Sequence, residues 1–599
     1  MNARRILAAT LATTLWAATG AAAMPPVPAH LDLSEIRSLP LQHDGRWPPL
    51  DTVARDTVES ITGRTFFRDI DPVVLTLAWA FVPEQWKSEP LITIGNAQLR
   101  AELKLPADRT TFSFMELAMH RRLAEVVRQA ASVGNSRKLD PLEEKALGIQ
   151  KRLTLLSQAL GGRQLLAIPD PQDPKGAWQP ITGEHVPAPV REAWTALRTS
   201  FLADDAPGFL TASRNLKAAL AALPAAYYPP ARRIEIEIDF NRTHPYRLAW
   251  EIMAVGALLA ALALLARRRW FDMLAALALA GGFAVLSYGL WQRWQIAGRI
   301  PAANMYESLL FLSWGTGALA ILSMLLTRQR LVPLTASVMG ALSLFLADVL
   351  PLDHYIRPIA PVLMDTAWMS IHVPIIMVSY AVLALAVLIA HVQLIVLAVA
   401  PRHREAIQAV DRLHYWYVQF GSLTLTAGII TGSMWAASSW GRYWGWDPKE
   451  VWSLVALLAY LAILHVRIDH EKVPWWMYLV ALALGAGVFA LVVPRLGTPT
   501  RLEALALGGA AVAMVLFVLA RGELATVLKS VLAFWLIIMT YVGVNFVLGI
   551  GLHSYAFGKG AVVHYLYRIG GADLALVLLC CVVYLLRRPS RNEALPIAA

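Results

Sequence analysis

The densest chemical signal in the sequence is the run Trp435-Ala-Ala-Ser-Ser-Trp440-Gly-Arg-Tyr-Trp444-Gly-Trp446-Asp447-Pro-Lys-Glu-Val-Trp452, five tryptophans within 18 residues. Indole faces are flat and apolar and suit stacking on a planar ligand. Arg442 or Lys449 would then meet an acidic group on its rim. The plain alternative is an interfacial belt, in which tryptophans anchor helix ends among lipid headgroups. A belt is usually scattered, whereas here Gly, Asp and Pro are interleaved with the indoles. The two cysteines, Cys580 and Cys581, are neighbours. Adjacent residues on a helix point about 100° apart and bridge poorly, so neither a disulfide framework nor a CxxC pair nor cysteine-ligated zinc is expected. Metal chemistry therefore falls to the 14 histidines, and His372, His465 and His553 are the ones to place.

Placing them requires the elements that carry them. With 599 residues and 57% hydrophobic content, the chain reads as crossing a membrane repeatedly. The net charge of +11 sits largely in short clusters beside apolar runs, which is membrane topology rather than a nucleic-acid footprint. Residues 1–23 read as a signal peptide: Arg4 and Arg5, an apolar stretch, then Ala21, Ala22 and Ala23, with an uncleaved anchor as the alternative. Residues 24–246 hold no 18-residue apolar window and read as a soluble, helical extracytoplasmic domain. Proline pairs such as Pro48-Pro49 mark its loops, and a charged connector from Arg232 to Arg247 marks its boundary.

Residues 247–590 read as a multi-helix membrane domain. Eleven apolar runs are expected to cross, near 248–266, 271–290, 306–326, 331–350, 368–398, 419–436, 450–466, 475–493, 503–520, 528–550 and 571–586. Starting outside, every second loop is inside and carries positive charge: Arg267, Arg268 and Arg269; Arg328 and Arg330; Arg402, Arg404 and Arg412; Arg467 and Lys472; Arg521 and Lys529; Arg587 and Arg588. The fold class is thus mainly α, a polytopic membrane protein of about eleven transmembrane helices preceded by a soluble helical domain. This topology puts the tryptophan run in an outer loop, His372 at the outer end of the fifth helix and His553 just beyond the outer end of the tenth. His465 lies near the inner end of the seventh, where ionisable groups are costly and usually functional. A lone interfacial histidine is the plain reading of His372 and of His553. His354, His403, His414, His470 and His564 read as loop histidines.

The tryptophan run resembles the WWD signature of the haem-handling proteins CcsA, CcmC and CcmF. The flanking blocks favour CcsA (ResC): Gly428-Ile-Ile-Thr431-Gly432-Ser-Met-Trp435, Leu464-His465-Val-Arg467, Gly298-Arg299-Ile-Pro301 through Asn304-Met-Tyr306-Glu307-Ser308, Ile371-His372-Val373, and Gly543-Val-Asn545 with Gly551-Leu-His553-Ser-Tyr555. The resemblance covers roughly residues 285–560. It implies a cytochrome c synthase subunit of the inner (cytoplasmic) membrane, with the WWD loop, about 435–452, and the N-terminal domain on the periplasmic side. Haem b would be ligand and substrate, with His372 and His553 as outer axial ligands and His465 as a transmembrane ligand. Trp435, Trp440, Trp444, Trp446, Asp447 and Trp452 would form the binding loop.

The implied partners are a ResB-like membrane subunit supplying a further histidine, an apocytochrome c with a Cys-x-x-Cys-His segment, a thiol-reducing protein, and membrane lipid. His391 is an internal candidate for that further ligand, with helix packing as its plainer role. The chain departs from a fused synthase in lacking ResB-type helices at its N-terminus, and it has two extra helices between His465 and His553. Glu307 either sets the charge of the site, caps its helix or pairs with Arg299. A segment from His43 to Thr52, resembling one in extended CcsA-like proteins, has turn chemistry and no evident role. The rival functions are a haem chaperone or lyase of a Ccm-type pathway, a b-type electron-transfer protein, and a substrate exporter that does no chemistry.

Overall fold

The computed structural model describes residues 27–587 except 134–138, 328–329, 360–366, 470–473, 493–500, 521–522 and 549–560. The expected signal peptide and His553 lie outside the described residues. The chain divides into two compact units, Met1–Arg242 and Thr243–Ala599.

The first unit is helical, with its longer helices at Leu50–Thr62, Pro72–Phe81, Arg121–Val133, Pro141–Ala159, Ala188–Leu202, Ala206–Ala221 and Ala231–Thr243. Helix starts follow local chemistry: Asp71 accepts the Val73 N–H ahead of Pro72, and Asp140 forms a capping box with Glu143 ahead of Pro141. Two short antiparallel ladders, Ile92–Thr93 with Thr111–Phe112 and Leu166–Ile168 with Gln179–Pro180, brace the helices. The core includes Trp79, Trp86, Phe112, Phe201 and Phe209, all fully buried.

The segment 232–247, expected as a connector, is largely helical. Glu237, 2% exposed, takes both terminal nitrogens of Arg46 at 2.9 and 2.8 Å and the Thr52 hydroxyl at 2.8 Å. Asn241 donates to Asp51 and Thr52, and Asp51 also pairs with Arg37 and Arg55. The segment His43–Thr52 thereby gains a role in this unit: it supplies the charged partners that seat the last helix. Glu237→Ala would leave the half-buried Arg46 guanidinium unpaired and should cost about 3 kcal/mol. A lower thermal midpoint for protease attack on this unit in the full-length protein would show it, and an unchanged midpoint would refute it.

In the second unit each of the eleven expected apolar runs overlaps a helix: α1 (Pro245–Ala266), α2 (Arg269–Ala297), α3 (Met305–Thr327), α4 (Leu331–Val349), α5 (Trp368–Val399), α6 (Arg404–Trp440), α7 (Pro448–Asp469), α8 (Trp475–Val492), α9 (Arg501–Leu519), α10 (Glu523–Ile538) and α11 (Ala561–Arg587). Eight helices among the described residues are long and apolar enough to cross a membrane. In lipid a helix satisfies its own backbone groups, which is why such runs take this form. The chain is a mainly α, polytopic membrane protein. Helix α5 is central, with 67% of its most apolar stretch buried, against 17% for α11.

Several expected loops are helical. Helix α6 has 37 residues, about 55 Å at 1.5 Å per residue, well beyond a hydrocarbon core of about 30 Å. It includes Arg404, Arg412 and His414 at one end and Trp435 and Trp440 at the other. The expected 435–452 loop therefore shrinks to residues 441–447, because the helix continues until Gly441 ends it in the left-handed region (φ 71°). Lys529 lies inside α10 and His564 inside α11. Counting apolar runs finds the membrane core of a helix and misses polar turns that extend past it.

Candidate functional site

Near the outer ends assigned to α5 and α6 by sequence, a cavity of about 480 Å³ opens between α3, α5, α6, α7 and a π-helix, Met539–Leu548, that continues α10. His372, Trp435, Trp440, Trp444 and Lys449 line it, with Tyr541 from the π-helix. The volume lies within the range of sites that enclose a small molecule or cofactor.

The close approach of α5 and α6 builds the histidine side of this cavity. A Cβ on Gly428 would fall 2.5 Å from Ile376 Cδ1, and one on Gly432 would fall 2.9 Å from His372 Cε1. Small residues are what allow helices to approach this closely in a membrane. The approach brings His372 Nδ1 to the Gly428 carbonyl at 2.9 Å and to Thr431 Oγ1 at 3.3 Å. A carbonyl only accepts, so Nδ1 carries the proton and the lone pair resides on Nε2. Orientation of one ring nitrogen by a backbone carbonyl is the usual support for a metal-ligating imidazole. The Trp435 ring lies 5.6 Å from the imidazole, centroid to centroid, tilted by 59°.

The tryptophan run divides by role. Trp435 and Trp440 are on α6 and Trp444 is in the loop, and all three line the cavity. Trp446 points outward, 72% exposed, with a left-handed backbone (φ 57°), and Trp452 is on α7. Asp447, expected in the binding loop, is 6% exposed and accepts the Lys449 N–H at 3.1 Å, capping α7 ahead of Pro448. Glu450 adds to this cap by accepting the Asp447 N–H at 3.1 Å, and it also takes the Gly445 N–H at 2.7 Å. Glu450 was missed at the sequence level, although Asp-x-x-Glu before an apolar run is a helix-start signal.

The opposite wall is a strap, residues 353–357, held by buried charge. Glu307 is 0% exposed and sits between Arg293 at 2.9 Å and Arg299 at 3.1 Å. Arg293 donates to the carbonyls of His354 and Tyr355, Arg299 to that of Arg357, and Asn304 to that of Asp353. Of the roles open to Glu307, the pairing with Arg299 holds, and its acceptance of the Ala303 N–H at 2.6 Å adds a cap. Arg293 went unnoticed because a lone arginine in an apolar run gives no hint of its partners.

Among the described histidines, His465, His414 and His391 do not line this cavity. His465 is exposed on α7, with Nδ1 donating to the Leu461 carbonyl at 2.7 Å. His414, expected in a solvated loop, is fully buried, and neither of its ring nitrogens has a hydrogen-bond partner among the described residues. His391 bonds to Asp573 at 2.7 Å, which favours its helix-packing reading.

These features define a class: a polytopic helical membrane protein with a cavity walled by indoles and one carbonyl-oriented imidazole. The family described as cytochrome C assembly protein matches residues 302–498. The cytochrome c biogenesis protein CcsA of Guillardia theta is 32% identical over 30% of this chain and 67% of its own length. That of Synechococcus elongatus is 31% identical over 30% of this chain and 70% of its own. Protein NrfI of Wolinella succinogenes is 27% identical over 86% of this chain, which spans about half (53%) of NrfI. A solved cytochrome c haem lyase CcmF aligns over 59% of this chain and 62% of its own at 17% identity, with a TM-score of 0.31. The chain belongs to the CcsA family of cytochrome c biogenesis proteins.

Proposed function

We propose that this chain binds haem b in the cavity and presents it for thioether attachment to apocytochrome c at the outer face of a cytoplasmic membrane, as a cytochrome c synthase subunit. The observation that carries this reading is the orientation of His372, whose Nδ1 proton is committed to Gly428 so that Nε2 is the metal-binding atom. Trp435, Trp440 and Trp444 supply apolar faces for a planar ring, and Lys449, Arg299 and Arg357 on the cavity walls suit its carboxylates. His553 is the second axial ligand in this reading, assigned by its sequence block alone.

Chemistry then needs no nucleophile from this chain. Each substrate thiol adds across a haem vinyl group, forming one C–S and one C–H bond with no atom lost, and the protein contributes proximity and orientation. Cys580 and Cys581 are buried in the packing of α5, α10 and α11, so a separate protein keeps the substrate thiols reduced. His465, exposed on α7 within a membrane span, suits an inner haem site completed by a ResB-like subunit, from which haem moves outward. The N-terminal unit, taken as periplasmic after a signal peptide, would bind the apocytochrome or that subunit.

Co-expression with a ResB-like partner and an apocytochrome, followed by haem staining under denaturing conditions, tests the reading. Covalent haem on the substrate is expected only when all three are present. Haem that co-purifies with the chain but never becomes covalent would point to a chaperone or an electron-transfer protein instead.

A further inference from the structure

Away from the cavity, three membrane helices are joined by a chain of polar side chains. His391 of α5 meets one carboxylate oxygen of Asp573 of α11 at 2.7 Å, and the indole N–H of Trp535 of α10 donates to the other at 2.6 Å. The Nδ1 of His391 faces the Val387 carbonyl at 2.8 Å. Both imidazole nitrogens therefore face oxygens, and one of these, a carbonyl, only accepts. The pair holds one shared proton and is neutral overall, whether written as imidazolium with carboxylate or as imidazole with carboxylic acid. Around it the packing is apolar, with Val387, Leu394, Val531, Phe534 and Val577.

An apolar trio would pack these helices with no desolvation cost, so the polar chain calls for a reason other than adhesion. Where such groups persist, fixing of register is their best-attested use. Here the register matters to the cavity. Helix α10 continues without a break into the π-helix, whose Thr540 and Tyr541 line the cavity wall. The change of winding at Met539 falls between Trp535 and Tyr541, so the direction of Tyr541 depends on where α10 is gripped. Tyr541 in turn bonds to Ser308 of α3 at 2.5 Å and lies under Lys449 at 5.2 Å. Helix α5, gripped through His391, carries His372, which also lines the cavity, and Tyr380, whose ring lies 6.5 Å from that of Tyr541. One carboxylate thus ties the helix of the imidazole to the helix of the tyrosine.

We infer that the His391–Asp573–Trp535 clasp is a positioning device for the cavity: it sets the Tyr541 wall against the His372 wall and thereby the geometry in which haem is held. This rests on the haem reading proposed above.

The test uses the full-length chain co-expressed with its partner, comparing Asp573→Asn, Asp573→Glu and the pair His391→Leu with Asp573→Leu, with His372→Gly as the control for the haem reading. Asp573→Asn should accumulate in membranes yet show a shifted or broadened Soret band and roughly five-fold less covalent product. Asp573→Glu, which keeps the carboxylate, should retain most of both. The paired leucine variant should accumulate as the parent does and still show the altered spectrum. If Asp573→Asn matches the parent while His372→Gly loses its haem signal, the clasp does not position the cavity and the haem reading survives. A parental spectrum in the paired leucine variant means packing alone is at work and overturns the inference, including in the case where Asp573→Asn fails to accumulate. If His372→Gly itself is parental, the haem reading falls and this inference falls with it.

Discussion

His372→Gly is expected to reduce covalent haem on the substrate on the order of 100-fold and to shift the absorption spectrum of bound haem, because it removes a ligand and leaves an open iron position. The substitution also leaves a ring-sized space, and the cavity beside it gives small molecules access. Free imidazole should therefore restore part of both signals. Trp444→Ala should lose activity without imidazole rescue, since lost stacking area is not replaced by a nitrogen ligand. Gly432→Val approaches the same site from α6: its side chain would intrude where even a Cβ comes within 2.9 Å of the His372 ring. It should reproduce the spectral change while His372 stays in place. Normal spectra and full activity in both His372→Gly and Gly432→Val would end the axial assignment.

Glu307→Ala should have the largest effect on stability of any single change in the membrane unit. It leaves Arg293, 0% exposed, and Arg299 as neighbouring cations without their shared carboxylate. Removing one partner of a buried pair costs about 3–5 kcal/mol, a large part of the stability of a typical domain. The damage extends beyond Glu307, because the same two arginines hold three carbonyls of the strap at 353–357 that forms one cavity wall. Reduced accumulation, a lower thermal midpoint in detergent and loss of bound haem should appear together. Glu307→Gln, which keeps hydrogen bonds but not charge, should fall between. A stable Glu307→Ala protein with parental haem content would show that the strap is held by other means.

The legible part of the site and the illegible part differ in how far apart in sequence their partners lie. Trp435, Trp440 and Trp444 were picked out by local density and do line the cavity. Asp447 and Glu450 form a cap between residues three apart, which was legible in principle. His391 shows the other limit, because its partner Asp573 is 182 residues away. Nothing in the spacing of either residue announces the other.

The sequence by itself determined that this is a helical membrane protein, because lipid leaves a long apolar stretch one way to satisfy its backbone. It also determined the family, through several ordered blocks. Only the tertiary structure decided which faces of those helices meet. The glycines of α6 let α5 come close enough for a backbone carbonyl to fix the tautomer of His372. The left-handed backbone at Trp446 turns one indole of the run outward while its neighbours face the cavity. Two arginines and a glutamate on α2, the α2–α3 turn and α3 become a buried triad. Each depends on the register between separate helices, a long-range quantity that periodicity within one run does not encode.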